Sequence, residues 1–192
     1  MVESRDLREQ ILGAAKQLFI EQGYRGLAMR QIAEAVGVSK AALYYHFKDK
    51  EELLLAILDG YLNEMEATLV RIQTQELPVR RKIDALLQAI LRQPAEQRAV
   101  IRLGSQEMAQ LSAPARAAFN RAYHEKFIDR VQAMLQAGID RGELRPIDPS
   151  VATWTLLGMM YPYFYPAHSQ DVPAPSAVLE QILTIYLDGI GA

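Results

Sequence analysis

Apolar residues recur every three or four positions along nearly the whole sequence, and this spacing limits the fold more than any other feature. Such a repeat places the apolar side chains on one face of an α-helix. No segment shows the two-residue alternation of a half-buried β-strand, and no internal repeat stands out. In the first segment the stripe consists of Leu7, Ile11, Ala14, Ala15, Leu18 and Phe19. The sequence therefore predicts an all-α fold.

Capping residues, glycines and prolines divide this pattern into about nine helices. Asp6 and Glu9 have the spacing of a capping box and predict the start of the first helix, which Gly23 ends. Asp49 and Glu52 predict the start of a long fourth helix in the same way. Residues 165–175 hold three prolines and are predicted to form a loop. Further boundaries are predicted at Pro78, Pro94, Gly142, Asp148 and Pro149.

Composition excludes several functional classes. The 192 residues include no cysteine, so disulfides, thiolate catalysis and cysteine-ligated zinc are excluded. Half the residues are hydrophobic and the formal net charge is −2, as in a globular protein without a general basic coat. Residues 151–167 are uncharged but barely long enough to span a membrane, and two prolines interrupt them. With acidic residues where a secretion signal needs basic ones, the sequence predicts a cytoplasmic protein without membrane contact.

The segment 27–53 has the spacing of a helix-turn-helix. Ile32 points inward, and Ala33 is small where a second helix must cross closely. Gly37 follows four residues after Ala33 and suits the positive φ of a tight turn. Ser39 is a good N-cap for the next helix, and Leu43, six residues after the glycine, points back into the core.

The helix that starts at Ser39 has the side chains expected of one that enters the major groove of DNA. Lys40 can donate to guanine acceptors, and the Ala41 methyl can contact the methyl of thymine. Tyr44, Tyr45 and His46 can donate to phosphate oxygens. The aromatic residues have an alternative role in the core, which we expect for Phe47. Metal binding by His46 is disfavoured because no paired-ligand spacing exists.

Basic residues accumulate in the same segment. A lysine at position 50 is unusual, because the first turn of a helix favours acids, and phosphate binding would explain it. Residues 22–50 contain two acidic residues, Glu34 and Asp49, and five basic ones: Arg25, Arg30, Lys40, Lys48 and Lys50. Arg30 joins the predicted DNA contacts for this reason, whereas Lys48 fits a DNA contact and a solvated loop charge equally well. The excess is local in a chain of negative net charge.

The run IAEAVGVSKAALYYHFKDKEEL resembles the DNA-binding signature of the tetracycline-repressor (TetR) family, and the resemblance covers residues 7–55. It implies a helix-turn-helix DNA-binding domain over residues 1–50 and an effector-binding and dimerisation domain over residues 51–192. This chain departs from the family at residues 27–28, Leu-Ala instead of Thr-Thr, and at Ala41, where glycine is common. The positions that contact DNA in the family match Ser39, Lys40, Ala41, Tyr44, Tyr45, His46 and Lys50.

The resemblance also implies an effector pocket among helices four to eight and dimerisation through the last two helices. Aromatic residues at helical spacing are alternatively ordinary core, and Arg102 either anchors an acidic effector or extends its charge into water. Predicted pocket residues are Met65, Leu87, Arg102, Gln106, Tyr123, Phe127, Trp154 and Tyr161. Predicted dimer contacts are Val178, Ile182, Ile185 and Tyr186.

The function predicted from these features is that of a homodimeric repressor, which a small, largely hydrophobic effector releases from a pseudo-palindromic double-stranded operator. Repression itself is implied by the resemblance alone. The alternatives are a helical small-molecule carrier or enzyme and a purely structural helical dimer. The sequence contains no P-loop, G-x-G-x-x-G motif or nucleophile elbow, so we predict no catalytic residue, cofactor or metal.

Overall fold

The computed structural model describes residues 2–164 and 175–191. Within these residues the chain forms nine α-helices, and the only β pairing is a single bridge between Leu144 and Gly191. The predicted all-α class is confirmed. The helices are α1 (Val2–Gly26), α2 (Met29–Val36), α3 (Lys40–His46), α4 (Lys50–Gln73), α5 (Val79–Leu91), α6 (Ala95–Glu107), α7 (Ala113–Tyr123, a π-helical turn His124–Ile128, then Asp129–Asp140), α8 (Pro149–Met160) and α9 (Pro175–Ile190). Short 3-10 turns follow α6 at Met108–Gln110 and α8 at Tyr161–Phe164.

Most predicted helix boundaries agree with the structure. Gly23 adopts a positive φ of 71° and interrupts α1, as its position predicted. Gly142 has a φ of 72° just beyond the end of α7. The predicted start at Asp6 is wrong, because α1 already begins at Val2. The predicted loop at 165–175 lies outside the described residues except for Pro175, the first residue of α9.

The chain divides into two compact units. Unit 1 comprises Met1–Tyr61 and Ala99–Arg121, and unit 2 comprises Leu62–Arg98 and Ala122–Ala192. Unit 1 therefore includes part of α4, of α6 and of α7 in addition to the helix-turn-helix. The predicted functional division into 1–50 and 51–192 stays a prediction, since packing and function need not divide a chain at the same residue.

The core of unit 1 is formed where α1, α2 and α3 meet α4 and α6. Its side chains are almost fully buried, and burial at this level stabilises a fold by roughly 1.5–3 kcal/mol per large aliphatic or aromatic residue. The central members are Ile11, Phe19, Ile32, Leu43, Phe47, Leu53, Leu54, Val100 and Leu103. The predicted core role of Phe47, which is 1% exposed, is confirmed.

Unit 2 is built around α5, α7, α8 and α9. Gly138 of α7 packs so closely on Val79 that a β-carbon at position 138 would lie 2.9 Å from the valine side chain. The hydroxyl of Tyr186 on α9 donates to the carbonyl of Ala152 on α8 at 2.9 Å. Among the described residues no helix is long and apolar enough to cross a membrane. The buried core residues include Ile83, Leu87, Val131, Leu135, Leu156 and Met160.

Candidate nucleic-acid interface

The turn between α2 and α3 is fixed by its glycine and by an N-cap. Gly37 has a φ of 76°, which an L-residue with a β-carbon adopts only under strain. The N–H of Val38 donates to the carbonyl of Ala33 at 3.0 Å and closes the end of α2. Ser39 Oγ accepts the N–H of Ala42 at 3.1 Å, so the predicted N-cap is confirmed. These short-range bonds set the direction in which α3 leaves the turn.

Helix α3 buries one side chain, Leu43, and presents the rest of its surface to solvent. Ser39, Lys40 and Ala41 are exposed at its start. The Tyr44 and Tyr45 rings are 41% and 82% exposed, which is unusual for large aromatic side chains. An exposed ring carrying a hydroxyl suits a partner that accepts hydrogen bonds, such as a phosphate oxygen.

Ring contacts order the aromatic side chains of α3. Lys40 Nζ lies 5.7 Å from the centroid of the Tyr44 ring, a cation–π distance. The half-buried His46 meets the Tyr45 ring edge-on, with 5.2 Å between centroids. The basic side chain at the start of α3 and the aromatic side chains further along it therefore form one continuous exposed surface.

Arg30 lies on α2 and is fully solvated. Its guanidinium pairs with Glu34 one turn later, with 3.3 Å between Nε and the carboxylate, and the two side chains are 79% and 62% exposed. Exposed pairs of this type contribute at most about 1 kcal/mol. An approaching phosphate can therefore replace Glu34 as the partner of Arg30 at little cost.

The start of α2 lacks the threonine pair of the resembling family, so no hydroxyl caps it, and Gln31 supplies the other half of a capping box. Gln31 Oε1 accepts the backbone N–H of Ala28, the N-cap residue, at 2.7 Å. Gln31 Nε2 also donates to Gln22 on α1 at 3.3 Å. Gln31 was not among the predicted site residues, although a glutamine at the third helical position is a recognisable capping signal.

Lys50 at the start of α4 points to backbone carbonyls of the chain itself. Its Nζ donates to the carbonyl of Leu27 at 2.7 Å and to that of Tyr24, and it lies 4.3 Å from the Tyr24 ring centroid. Burial lowers the pKa of Lys50, and the nearby Glu107 carboxylate opposes that shift. Lys50 thus links the end of α1 to the start of α4 as a positioning residue, and its predicted phosphate contact stays a prediction.

Helix α6 and the 3-10 turn that follows it also bind the end of α1. Glu107 Oε1 accepts the N–H of Tyr24 at 3.1 Å, and Gln110 Oε1 accepts a bond from Arg25 Nε at 2.6 Å. Both bonds join residues more than eighty positions apart, so no local pattern in the sequence indicates them. These two bonds fix Tyr24 and Arg25, the residues directly after Gly23, to Glu107 and Gln110.

The capping box predicted for α4 is formed, except that the Glu52 carboxylate binds the N–H of Lys48 instead of that of Asp49. Asp49 Oδ1 accepts the N–H of Glu52 at 2.7 Å, as the spacing predicted. The Glu52 carboxylate accepts the N–H of Lys48 at 2.9 Å. The Lys48 side chain is exposed and lies beside α3 in sequence.

The eight predicted pocket residues divide between the two units. Arg102 and Gln106 belong to unit 1, where they line a cavity of about 150 Å³. The other six belong to unit 2, and three of these, Met65, Leu87 and Phe127, are buried.

The remaining three pocket candidates differ in exposure. Tyr123 stacks on Phe127 with 5.8 Å between ring centroids, and burial raises its pKa to about 12. Trp154 and Tyr161 are 47% and 53% exposed in the single chain, so they do not line an enclosed cavity there. His124 meets the Trp154 ring at 6.5 Å from the side of the π-helical turn.

Three of the four predicted dimer contacts point into the core of their own chain. Val178, Ile182 and Tyr186 are only 6%, 5% and 2% exposed, so they have almost no surface left for a partner. In the single chain they pack within unit 2, and their predicted interface role stays a prediction. Ile185 is 66% exposed, and Val151 on α8 is 56% exposed.

Comparisons with known proteins agree with these features. The model of bacterial regulatory proteins of the tetR family matches residues 11–57, and that of the tetracyclin repressor-like C-terminal domain matches residues 76–162. The HTH-type transcriptional repressor KstR2 of Rhodococcus jostii is 28% identical over 96% of this chain and 91% of its own length.

Two solved structures cover nearly the whole chain. A TetR/AcrR-family transcriptional regulator from Thermobifida fusca is 31% identical, with 96% of this chain and 98% of that chain covered and a TM-score of 0.71. AibR in complex with isovaleryl coenzyme A and operator DNA is 25% identical, with 93% and 97% covered and a TM-score of 0.75. The chain therefore belongs to the TetR family of transcriptional regulators, and its DNA-binding domain, which contains the helix-turn-helix of α2 and α3, matches the family over residues 11–57.

Proposed function

We propose that this protein is a homodimeric cytoplasmic repressor that binds a pseudo-palindromic operator and is released from it by a small, largely hydrophobic effector. The proposal that the protein binds operator DNA rests on the surface of α3. It exposes Lys40, Tyr44 and Tyr45, while Gly37 and the Ser39 cap fix the orientation of the helix. A helix held in this way presents its first residues to base edges and its later ones to phosphates.

The proposal of a homodimer rests on exposed apolar side chains of α8 and α9, namely Val151, Trp154 and Ile185. Soluble monomers seldom leave such side chains exposed together, and a second copy of the chain covers them without any new partner. Two-fold symmetry then places two α3 helices on successive turns of one face of the duplex. A pseudo-palindromic operator follows from this symmetry.

The proposal of a hydrophobic effector rests on buried side chains of unit 2 and on the relative AibR. AibR was solved with isovaleryl coenzyme A, whose acyl part is short and apolar. The buried side chains of Met65, Leu87 and Phe127, with Tyr123 stacked on Phe127, provide the apolar lining and the hydroxyl that such a molecule needs. We therefore propose an acyl thioester whose short acyl end binds these residues; the effector is small and largely hydrophobic in that end alone, because its coenzyme A part is large and polar. This effector releases the operator by binding better to a conformation in which the two α3 helices no longer match the half-sites.

The test is selection from a random DNA pool, followed by gel shift on the selected sequence. We expect a two-fold symmetric motif with half-sites about one helical turn apart, and release of that DNA by isovaleryl coenzyme A. Arg80→Ala is a negative control. It removes an exposed cation from α5 in unit 2, so the affinity for the selected DNA should not change. A pool without an enriched motif would contradict the proposal and favour a helical carrier or enzyme.

A further inference from the structure

A cavity of about 150 Å³ lies between α1 and α6, entirely within unit 1. Its α1 wall consists of Phe19, Ile20 and Gly23. This volume corresponds to about five water molecules in the liquid, at roughly 30 Å³ each. It is separate from the effector pocket proposed above, because all of its lining residues belong to the unit that contains the helix-turn-helix.

The α6 wall of the cavity combines apolar and polar side chains. Ala99, Arg102, Leu103, Gln106 and Glu107 recur at three- and four-residue steps, so they share one face of the helix. Ala99 and Leu103 are buried, whereas Arg102 is half-buried and Gln106 is exposed. The site therefore has an apolar floor and a polar edge that solvent reaches.

The two charged residues at this edge, Glu107 and Arg102, differ because, within the described residues, only the side chain of Glu107 has a partner. Glu107 is occupied, since it accepts the Tyr24 N–H at 3.1 Å and its charge acts on Lys50. The guanidinium of Arg102 has no hydrogen-bond or ion-pair partner in the part of the chain that the structure describes; the Ser105 hydroxyl donates to the backbone carbonyl of Arg102, not to its side chain. The Gln106 amide likewise lacks a side-chain partner among the described residues.

We propose that this cavity binds a small aliphatic carboxylate. The carboxylate would pair with Arg102 and accept a bond from Gln106, one turn further along α6, while the short apolar chain would lie against Phe19, Ala99 and Leu103. A guanidinium provides paired donors that match a carboxylate, and such charge-assisted bonds are the strong ones. A neutral or cationic ligand would form no ion pair with Arg102, so its binding should be weaker.

The test is a ligand-observed NMR titration of the full-length protein with butyrate and, separately, with butyramide, which has the same shape without the charge. We expect saturable binding of butyrate and at least tenfold weaker binding of butyramide. Arg102→Gln should weaken butyrate binding at least tenfold. Arg121→Gln should not, because Arg121 is an exposed arginine of unit 1 outside the cavity.

Each contrary result overturns the site. Equal affinity for butyrate and butyramide removes the charge recognition, and undiminished binding by Arg102→Gln places the carboxylate elsewhere. No saturable binding means that the cavity holds only water. The butyrate–butyramide comparison uses the unaltered protein, so it decides the question even if Arg102→Gln does not fold. The titration contains no DNA, so it can fail or succeed independently of the proposed function.

Discussion

Two exposed surfaces of this protein, α3 in unit 1 and the α8 and α9 side chains in unit 2, have large aromatic residues in water but differ in chemistry. On α3 the exposed rings carry hydroxyls, and the Tyr44 ring lies 5.7 Å from the ammonium of Lys40. On α8 the indole of Trp154 is accompanied by Val151 and faces no exposed cation of that helix. Exposure alone therefore does not identify a partner, whereas the neighbouring charges favour a polyanion in one case and an apolar protein surface in the other.

The two surfaces also differ in what holds them. The turn before α3 is closed by bonds between residues at most five positions apart, such as Ser39 with Ala42. Unit 2 depends on distant pairs, such as Tyr186 with Ala152 and Arg130 with Glu66. A surface set by local bonds keeps its geometry when other parts of the chain change, which suits the reading of a fixed DNA shape.

The largest effect should come from Ile185→Glu on α9, which is compared with the separate variant Ile182→Glu on the same helix. Ile185→Glu places a charge on the exposed apolar surface, so we expect the dimer to split while each chain stays folded. Operator affinity should then fall by about 100-fold or more, because two half-sites are no longer bound together. Light scattering and gel shift measure these effects.

Ile182→Glu is the matched variant for that experiment. Ile182 is 5% exposed, so a glutamate there would bury an unpaired charge in the core of unit 2, and the chain should unfold. Circular dichroism distinguishes the two outcomes. If Ile185→Glu remained a dimer, the exposed side chains of α8 and α9 would not be the interface.

The predicted interface residues show where sequence information ends. Periodicity identified the apolar face of α9, but a helix with both a core and a partner has two apolar faces, and spacing does not say which is which. Val178, Ile182 and Tyr186 turned out to pack inside the chain. The helix-turn-helix was predictable because its signals, Gly37 and the Ser39 cap, act within a few residues. Glu107 was not, since it meets Tyr24 across eighty-three positions.

A second prediction concerns base reading by α3. Lys40 is exposed at the first turn of the helix, so Lys40→Ala should cost about 1–3 kcal/mol on the cognate operator and relax the preference at one base pair per half-site. Binding to unrelated DNA should change much less. Selection from a random pool with both proteins tests this, and identical motifs would show that Lys40 reads no base.

Lys50 gives a third prediction, because the structure shows bonds to backbone carbonyls beside the predicted phosphate contact. Its ammonium holds the carbonyls of Tyr24 and Leu27, and hydrogen bonds from a charged group contribute roughly 1.5–3 kcal/mol. Lys50→Ala should therefore lower the free energy of unfolding by about 1–2 kcal/mol and leave the salt dependence of DNA binding unchanged. Denaturant unfolding and binding at several salt concentrations separate the two roles. A salt slope lower by about one would mean that Lys50 also contacts a phosphate.

The smallest effect tests whether unit 2 keeps Tyr123 away from water while α3 exposes its own tyrosines. Burial raises the pKa of Tyr123 from 10.0 to about 12. Below pH 10 the folded and unfolded chains both keep this proton, so the burial of Tyr123 has no pH-dependent effect there. Between pH 10 and 12 the unfolded chain loses the proton first, and stability must fall as the pH rises.

Tyr123→Phe removes this dependence and keeps the ring that stacks on Phe127. Between pH 9 and 11 the free energy of unfolding of the unaltered protein should therefore fall by about 1 kcal/mol more than that of the variant. Denaturant unfolding at the two pH values measures the difference, and any loss already present at pH 9 cancels. Parallel pH curves would mean that water reaches the Tyr123 hydroxyl, and the stacked pair would then be a poor wall for an apolar effector.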